Sequence, residues 1–344
     1  MAQTNDGRGS IVADGLAKTY NGTVRAVRGV SFAVGPGEIY GFLGPNGAGK
    51  TTTVAMLTAL LEPTGGRATV DGLDIHRDRV AVKRRIGVVF QESTADGDLT
   101  GRENLELAAA LYSVPRSEVK GRVEGLLERM QIGDAADRLA KTYSGGMRRR
   151  LELAAGIVHS PRLLFLDEPT LGLDPQGRAG FWRYVLELQR DHQMTIFVTT
   201  HYLEEADGMC QRIAIIDHGS IVATGSPSEL KDRLGGDIVT VRPTAPNATL
   251  PELLGKVPGV TSVGSQDGAF RLKCANGEAL VPEVVTACVR AGVGLQAVSL
   301  KRPSLDEVFL EFTGREFRED EGFSATDRAV MVGRVRAAFG RGGR

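Results

Sequence analysis

Cysteine is scarce in this chain. Among 344 residues there are three, Cys210, Cys274 and Cys288. Because the number is odd and the spacing is not that of a metal site, a disulfide framework is excluded and a reducing cytosolic compartment is expected. We interpret the three cysteines as packing residues.

An excess of either charge and a long apolar run are also missing. Forty-two basic residues are matched by forty-two acidic ones, whereas a protein that coats nucleic acid carries a clear basic excess. The N-terminal sequence MAQTNDGRGS holds no apolar segment suited to a signal peptide, and no window of about twenty residues is apolar throughout. We therefore expect no nucleic-acid partner and no membrane-crossing segment in a chain whose length suggests about two domains.

One segment fits the G-x-x-x-x-G-K-[ST] phosphate loop, since residues 44–51 read Gly-Pro-Asn-Gly-Ala-Gly-Lys-Thr. Backbone N–H groups of such a loop wrap around phosphate oxygens, Lys50 reaches the terminal phosphates, and the Thr51 hydroxyl can ligate Mg²⁺. A strand-like run at 38–43 precedes the loop, and apolar residues at helical spacing continue to Leu61, which aims a helix N-terminus at the phosphates. An incidental glycine-rich turn is the alternative. We predict that a nucleoside triphosphate is bound by Gly44, Pro45, Asn46, Gly47, Ala48, Gly49, Lys50, Thr51 and Thr52.

Two acids and a histidine stand at the ends of predicted strands. Asp167 ends the apolar run 163–166 and is placed to hold the Mg²⁺ shell through water, and Glu168 beside it is suited to deprotonate an attacking water. Two acids that only cap the next helix are the alternative. His201 follows the run 195–199, at the strand edge where α/β sheets place ligands, and is a candidate donor to the terminal phosphate.

Strands and helices alternate along the first part of the chain. A strand-rich start at 11–43 leads into the phosphate loop, a helical stretch follows at about 91–157, and strand-like runs return at 163–166, 195–199, 212–217 and 220–224. Asp174-Pro175 is typical of an N-cap and first-turn proline, and Ser226-Pro-Ser-Glu229 of a capping box. This alternation predicts a mainly parallel sheet with helices on its faces.

The composition changes near Gly235-Gly236. Beyond it the pattern predicts a strand, a helix, two strands, a helix and a strand, the order of a small ferredoxin-like α+β unit, and a capping box at Ser304–Glu307 opens a last helix. The end of the chain carries no acid after Asp327 but five arginines, Arg328, Arg334, Arg336, Arg341 and Arg344. This tail is predicted to be disordered or to be a weak anchor for anionic lipid headgroups.

The order of these motifs resembles the ATP-binding cassette (ABC) family of ATPases over about residues 9–230. The resemblance implies that Tyr20 stacks on adenine and that Gln91 senses Mg²⁺ and the membrane partner, as a further metal and catalytic residue. Ser144, Gly145 and Gly146 match the signature motif that binds the γ-phosphate held by the opposite protomer. Asp174 matches the loop that communicates across the dimer, and His201 matches the switch histidine.

A resemblance to one subgroup of this family rests on two segments, Tyr143-Ser-Gly-Gly-Met-Arg-Arg-Arg150 and Leu305-Asp-Glu-Val-Phe-Leu310. Both look like the ATPase subunits of the daunorubicin/doxorubicin-resistance exporters, although the second could be mere helical packing. Tyr143 and Met147 depart from the leucine and glutamine of the usual signature, while its Ser-Gly-Gly core is intact. The resemblance implies a homodimer that closes on two ATP, Mg²⁺, a separately encoded membrane-spanning permease subunit, and export of a hydrophobic drug, antibiotic or lipid from the cytoplasmic face of the cell membrane.

The predicted fold class is α/β: a P-loop NTPase of the ABC cassette type, with a β-rich N-terminal part and a helical insert at about 91–157, plus a small C-terminal α+β domain. The predicted segments are a polar leader at 1–8, the ATP-binding domain at 9–235, the accessory domain at 236–314 and a basic tail at 315–344. Two other functions stay open: a soluble ABC-type ATPase switch acting on ribosomes or DNA, and the ATPase subunit of an importer. A single phosphate loop and the separation of 117 positions from Lys50 to Asp167 (167 − 50) disfavour the soluble switch, since such proteins usually carry two cassettes or a long coiled coil.

Overall fold

The computed structural model describes residues 7–234, 236–245, 249–266 and 268–313. These residues divide into two compact units, 7–222 and 223–313. Most of the predicted leader and all of the predicted basic tail lie outside the described residues. In the described part of the chain, no helix is both long enough and apolar enough to span a bilayer.

The first unit contains strands and helices in the alternating order expected from the sequence. In chain order they are β1 (Ile11–Tyr20), β2 (Val24–Val34), β3 (Ile39–Leu43), α1 (Lys50–Leu57), β4 (Gly65–Val70), β5 (Leu73–Asp74), α2 (Arg79–Arg85), β6 (Ile86–Val89), α3 (Gly101–Leu111), α4 (Arg116–Arg129), α5 (Gly145–Ile157), β7 (Leu163–Asp167), α6 (Pro175–His192), β8 (Thr195–Thr200), α7 (Leu203–Met209), β9 (Arg212–Asp217) and β10 (Ser220–Gly225), whose last residues belong to the second unit.

The larger sheet of this unit has the order β10-β9-β3-β8-β7-β6, in which β9, β3, β8, β7 and β6 run parallel. Every residue of β3, β7 and β8 is buried, because a parallel sheet is covered on both faces; this explains their continuous apolar runs. The smaller sheet, β2-β1-β4-β5, is antiparallel. The predicted α/β fold class with a β-rich N-terminal part is confirmed.

Aromatic side chains join the two sheets in the core. Phe32 of β2 stacks on Tyr40 of β3 and on Phe197 of β8, with ring centroids 5.7 and 5.8 Å apart. Phe42 lies 5.5 Å from Phe197, and all these rings are buried. The packing fixes the C-terminal end of β3, from which the glycine-rich loop departs.

Helix α1 is shorter than its apolar pattern. It ends at Leu57, whereas the helical spacing continues to Leu61. The chain turns because Ala59 adopts a φ of 56° and the amides of Leu60 and Leu61 both donate to Ala55 O at 2.9 Å. The last two leucines therefore pack from a turn and not from the helix.

The second unit is built around an antiparallel sheet. Its elements are α8 (Pro227–Asp232), β11 (Asp237–Pro243), α9 (Leu250–Gly255), β12 (Val260–Gln266), β13 (Ala269–Cys274), α10 (Gly277–Arg290), β14 (Leu295–Lys301) and α11 (Leu305–Thr313). The strand order β12-β13-β11-β14 combined with the succession βαββαβ is that of a ferredoxin-like unit. Its core includes the buried thiols Cys274 and Cys288, and Cys210 of the first unit is also free and buried.

Candidate active site

The glycine-rich loop connects β3 to α1, and Gly49 shows why its path needs glycine. Gly49 adopts a φ of 106°, and a Cβ at this position would lie 2.5 Å from Ala26 O. Both the backbone conformation and the space exclude a side chain. Lys50 and Thr51 follow at once in the first turn of α1, so their side chains are placed at the helix N-terminus.

Lys50 is the centre of the site. Its side chain is 4% exposed, and its ammonium lies 3.0 Å from Oε1 of Glu168. The same nitrogen donates to the carbonyl oxygens of Gly44 at 2.7 Å and Pro45 at 3.2 Å. Three acceptors thus match the three N–H groups of the ammonium, which holds a positive charge at the mouth of the loop.

Glu168 follows β7 in a left-handed conformation, with a φ of 47°. Its amide donates to the carbonyl and the hydroxyl of Thr199, at 3.0 and 3.1 Å, while its second carboxylate oxygen lies 3.1 Å from Nδ1 of His201. Burial alone would raise the pKa of Glu168, but the His201 hydrogen bond and the Lys50 charge outweigh it and lower the pKa to about 2. The carboxylate is therefore ionised, and each of its two oxygens has a partner, Lys50 or His201.

Asp167 differs from its neighbour in environment. Its Oδ1 accepts hydrogen bonds from Thr199 and, at 3.4 Å, from Thr51. Burial raises the pKa of Asp167, which the Thr199 hydrogen bond opposes. A carboxylate and a hydroxyl side by side are the hard oxygen donors that Mg²⁺ prefers, so these two residues fit the ion.

The structure joins Lys50, Thr51, Asp167, Glu168 and His201 through direct contacts, whereas the other predicted site residues lie on separate segments. Tyr20 is half-buried at the end of β1, and Gln91 is exposed two residues after β6. Asp174 caps α6 by accepting from Gly177 N at 2.7 Å, as its position before Pro175 predicts.

The signature segment opens α5. The hydroxyl of Ser144 accepts from Met147 N at 3.3 Å and caps the helix. Ser144 and Gly145 are exposed and Gly146 is partly exposed. Among the described residues beyond its immediate neighbours, a Cβ at Gly146 would meet no atom within 4 Å, and at Gly145 it would meet Leu173 at 3.9 Å. Neither glycine shows a positive φ, so the residues that the structure describes give no reason for glycine at either position.

Tyr143 replaces the usual leucine for a packing reason. Its ring is 6% exposed, and its hydroxyl donates to Ala135 O at 2.7 Å. A Cβ at Gly101 would lie 2.1 Å from that hydroxyl, so Gly101 provides the space. The larger side chain ties the start of the signature segment to the region between α4 and α5.

Two residues in contact with the site are absent from the sequence-based prediction. Thr199 contacts both Asp167 and Glu168; being one of two adjacent threonines within an apolar strand, it gives no distinct signal. Arg149 of α5 is buried and donates to backbone carbonyls of the β7 end. Arg149 shares one helix face with Glu152, Leu153 and Gly156, and this spacing was the available signal.

Comparison with known proteins agrees with this geometry. The sequence profile of the family described as "ABC transporter" matches residues 27–171, and that of "ATP-binding protein DrrA1-3-like, C-terminal domain" matches residues 225–313. The daunorubicin/doxorubicin resistance ATP-binding protein DrrA of Streptomyces peucetius is 44% identical over 89% of this chain and 92% of its own.

Two further proteins extend the comparison. The linearmycin resistance ATP-binding protein LnrL of Bacillus subtilis is 34% identical over 89% of this chain and 99% of its own. The solved structure of cbiO1 from Clostridium perfringens, part of the ABC transporter complex cbiONQ, superposes with a TM-score of 0.60 at 27% identity, covering 64% of this chain and 89% of that one. The chain belongs to the ABC transporter family and is an ATPase of the DrrA-like group within it.

Proposed function

We propose that two copies of this chain close on two ATP molecules and that the closed dimer drives export through a separate membrane subunit. In each site the loop Gly44–Thr52 and the pair Asp167 and Glu168 belong to one copy, and the turn Ser144–Gly146 belongs to the other. Tyr20 stacks on adenine, and Asp174 contacts the opposite copy. A single phosphate loop per chain then supplies half of each composite site.

The open space around Gly145 and Gly146 carries this proposal. Among the described residues, a Cβ would meet only an ordinary contact with Leu173 at Gly145 and no neighbouring atom at Gly146, so packing against them does not require glycine at either position. Glycine is required where another backbone or an anion approaches closely, and the N-terminus of the 13-residue helix α5 attracts negative charge. A phosphate group presented by the second copy satisfies both conditions.

The predicted site residues have different roles in ATP hydrolysis. Thr51, Asp167 and Gln91 hold Mg²⁺, which neutralises phosphate charge when bound. Glu168 accepts the proton of the attacking water, and His201, 3.1 Å from the Glu168 carboxylate, keeps that carboxylate oriented and donates to the terminal phosphate. Lys50 is placed to exchange its contact with Glu168 for a contact with phosphate oxygens.

The transport direction follows from the relatives. The Streptomyces and Bacillus proteins are both described as resistance ATP-binding proteins, which favours efflux of a hydrophobic drug, antibiotic or lipid over an importer or a soluble switch on ribosomes or DNA. The chain then works as a peripheral subunit on the cytoplasmic face of the cell membrane. Its membrane-spanning partner is a separate chain.

The dimer is tested with Glu168→Gln, which blocks turnover and traps the ATP-bound state. Sedimentation velocity with Mg²⁺-ATP should show conversion from monomer to dimer, and adding Gly146→Val in the same background should abolish the dimer. A Glu168→Gln protein that binds ATP and remains monomeric, also with its membrane subunit present, would contradict the composite site.

Export is tested separately in cells that carry the membrane subunit. Accumulation of a panel of drugs and lipids is compared between wild type and Glu168→Gln. Lower accumulation of at least one compound in wild type supports export, and higher accumulation supports an importer. Co-sedimentation with ribosomes and not with membranes would favour the soluble switch.

A further inference from the structure

Arg149 makes an unusual set of contacts for a residue of the helix that follows the signature turn. It lies in the second turn of α5, five residues after Ser144, and is 7% exposed. Its guanidinium has five N–H groups and makes five hydrogen bonds. Four of these five acceptors are backbone carbonyls, and the fifth is the carboxylate of Glu152.

Three of the carbonyls belong to consecutive residues at the end of β7. Nη2 donates to Asp167 O at 3.4 Å and to Glu168 O at 3.3 Å, and Nε donates to Pro169 O at 2.5 Å. The peptide units on both sides of the Glu168 Cα are therefore fixed from α5. Since Glu168 has a left-handed backbone, which costs energy in a residue other than glycine, its carboxylate direction depends on such support.

The fourth carbonyl belongs to a different segment. Nη1 donates to Phe90 O at 2.5 Å, and Phe90 immediately precedes Gln91. The same nitrogen lies 2.8 Å from Oε2 of Glu152 on α5 itself. One guanidinium thus joins the helix of the Ser144–Gly146 turn to the segments that carry Glu168 and Gln91.

The neighbouring Arg150 does not share this arrangement. Its side chain donates to Gly146 O within α5 and to the carbonyls of Met130 and Gln131 after α4. The link to the catalytic segments belongs to Arg149 and not to the run of three arginines as a whole. Glu152 supplies the compensating charge, and both side chains of that pair are at least nine-tenths buried.

We propose that Arg149 is a positioning residue that couples the two composite sites of the dimer by holding the Ser144–Gly146 turn, Gln91 and Glu168 of one subunit as a single unit. When the partner's nucleotide binds the Ser144–Gly146 turn of one subunit, Arg149 transmits this event to Glu168 of that subunit. This Glu168 acts on the nucleotide that is held by the phosphate loop of its own subunit. This inference rests on the proposed composite sites and adds to them a residue outside the proposed set of ATP and Mg²⁺ ligands.

The first test is kinetic. Arg149→Gln should lower kcat by roughly 10- to 100-fold, because small displacements of a catalytic group have effects of that size, while the equilibrium Kd for ATP stays within about twofold. Arg149→Lys, which keeps the charge and some of the donors, should recover part of the kcat. Arg122→Gln is the matched control: Arg122 also pairs with a carboxylate, Glu118, and donates to a carbonyl, Val158 O, but at the far end of α5, and its kcat should stay near wild type.

A second variant separates positioning from stability. Arg149→Met combined with Glu152→Met removes both buried charges with little change in volume, so the urea midpoint should return toward the wild-type value while kcat remains low. If a folded Arg149→Gln protein or the double variant turns over ATP within twofold of wild type, the coupling role is wrong. If Arg149→Gln does not fold, the kcat values of the double variant and of Arg149→Lys decide whether Arg149 has the coupling role.

Failure of this inference is distinguishable from failure of the composite sites. If the wild type hydrolyses ATP and Glu168→Gln forms an ATP-dependent dimer, the proposed composite sites are supported even when the Arg149 variants are fully active. If no dimer forms, the composite sites fail. A low kcat of Arg149→Gln would then indicate only the support of Glu168 within one chain, and the coupling role would be overturned.

Discussion

The ammonium of Lys50 lies 3.0 Å from Oε1 of Glu168, so the proposed phosphate-binding lysine and the proposed catalytic base neutralise each other. Both side chains are buried, at 4% and 5% exposure. A phosphate group that approaches Lys50 competes for the ammonium and is repelled by the Glu168 carboxylate. The ion pair therefore opposes ATP binding while it keeps the carboxylate ionised.

Replacing Glu168 by glutamine should separate binding from turnover. Glu168→Gln removes the proton acceptor, and kcat should fall by roughly two to four powers of ten. The Kd for ATP should stay the same or become lower, since the competing negative charge is gone. Single-turnover hydrolysis and an equilibrium titration with a fluorescent nucleotide measure the two effects, and wild-type turnover in a preparation free of contaminating ATPase would remove Glu168 from the catalytic role.

Gly146 offers a test in which stability and activity change in opposite directions. An alanine Cβ at this position meets no neighbouring atom within 4 Å in the described part of the chain, and alanine is favoured over glycine in a helix by up to about 1 kcal/mol. Gly146→Ala should therefore be at least as stable as wild type in urea while its ATPase activity falls, because the methyl group lies where the partner's phosphate approaches. Full activity in a dimer would show that nothing approaches this position closely.

Local sequence determined much of what the structure shows. The path from β3 through the glycine-rich loop into α1 depends on neighbouring residues and was predictable, as were the helix caps at Asp174 and Ser226. Proximity of Glu168 and His201 followed from both standing at the C-terminal ends of parallel strands.

Contacts set by strand register or by helix rotation were not predictable. The register of β7 and β8 pairs Asp167 with Thr199, and a shift by one residue would turn that hydroxyl to the opposite face. Likewise, the spacing of Arg149 with Leu153 and Gly156 indicates that Arg149 faces the core, but the carbonyls that its guanidinium meets are set by the tertiary packing of α5. Such choices depend on tertiary structure that a pattern of residue types does not contain.

Thr199 should influence the protonation of Asp167. Its side chain is fully buried, and its hydrogen bond opposes the rise in the pKa of Asp167 that burial causes. In Thr199→Val that pKa should rise further, so the acidic limb of kcat/KM for Mg²⁺-dependent hydrolysis should move to higher pH. Losing the hydrogen bond should also cost about 1–3 kcal/mol of stability.

Thr195 is the matched control for this prediction. It lies on the same strand, is equally buried, and its hydroxyl bonds to Gly9 O at 2.6 Å and to Gly37 N at 2.8 Å, away from Asp167. Thr195→Val should lose comparable stability and leave the acidic limb in place. Equal shifts of the limb in both variants would mean that Thr199 acts only through stability.

His159 should make stability depend on pH in the mildly acidic range. Its ring stacks on Tyr112 with centroids 3.7 Å apart, its Nε2–H donates to Ile86 O at 3.1 Å, and Nδ1 has no hydrogen-bond partner among the described residues. Burial lowers the pKa of His159 from 6.5 to about 4. The unfolded chain therefore binds a proton on His159 at a higher pH than the folded chain does.

The sign of the effect follows from this difference. Stability from a neutral His159 is fully present above pH 6.5 and is lost as the pH falls toward 4, because protonation then favours the unfolded state. His159→Phe keeps the stacking on Tyr112 and cannot be protonated. Urea unfolding at pH 7.5 and pH 5 should show wild type losing roughly 1–3 kcal/mol more than the variant between the two values. Parallel pH profiles would contradict the buried, neutral histidine and indicate that its ring is hydrated in the native protein.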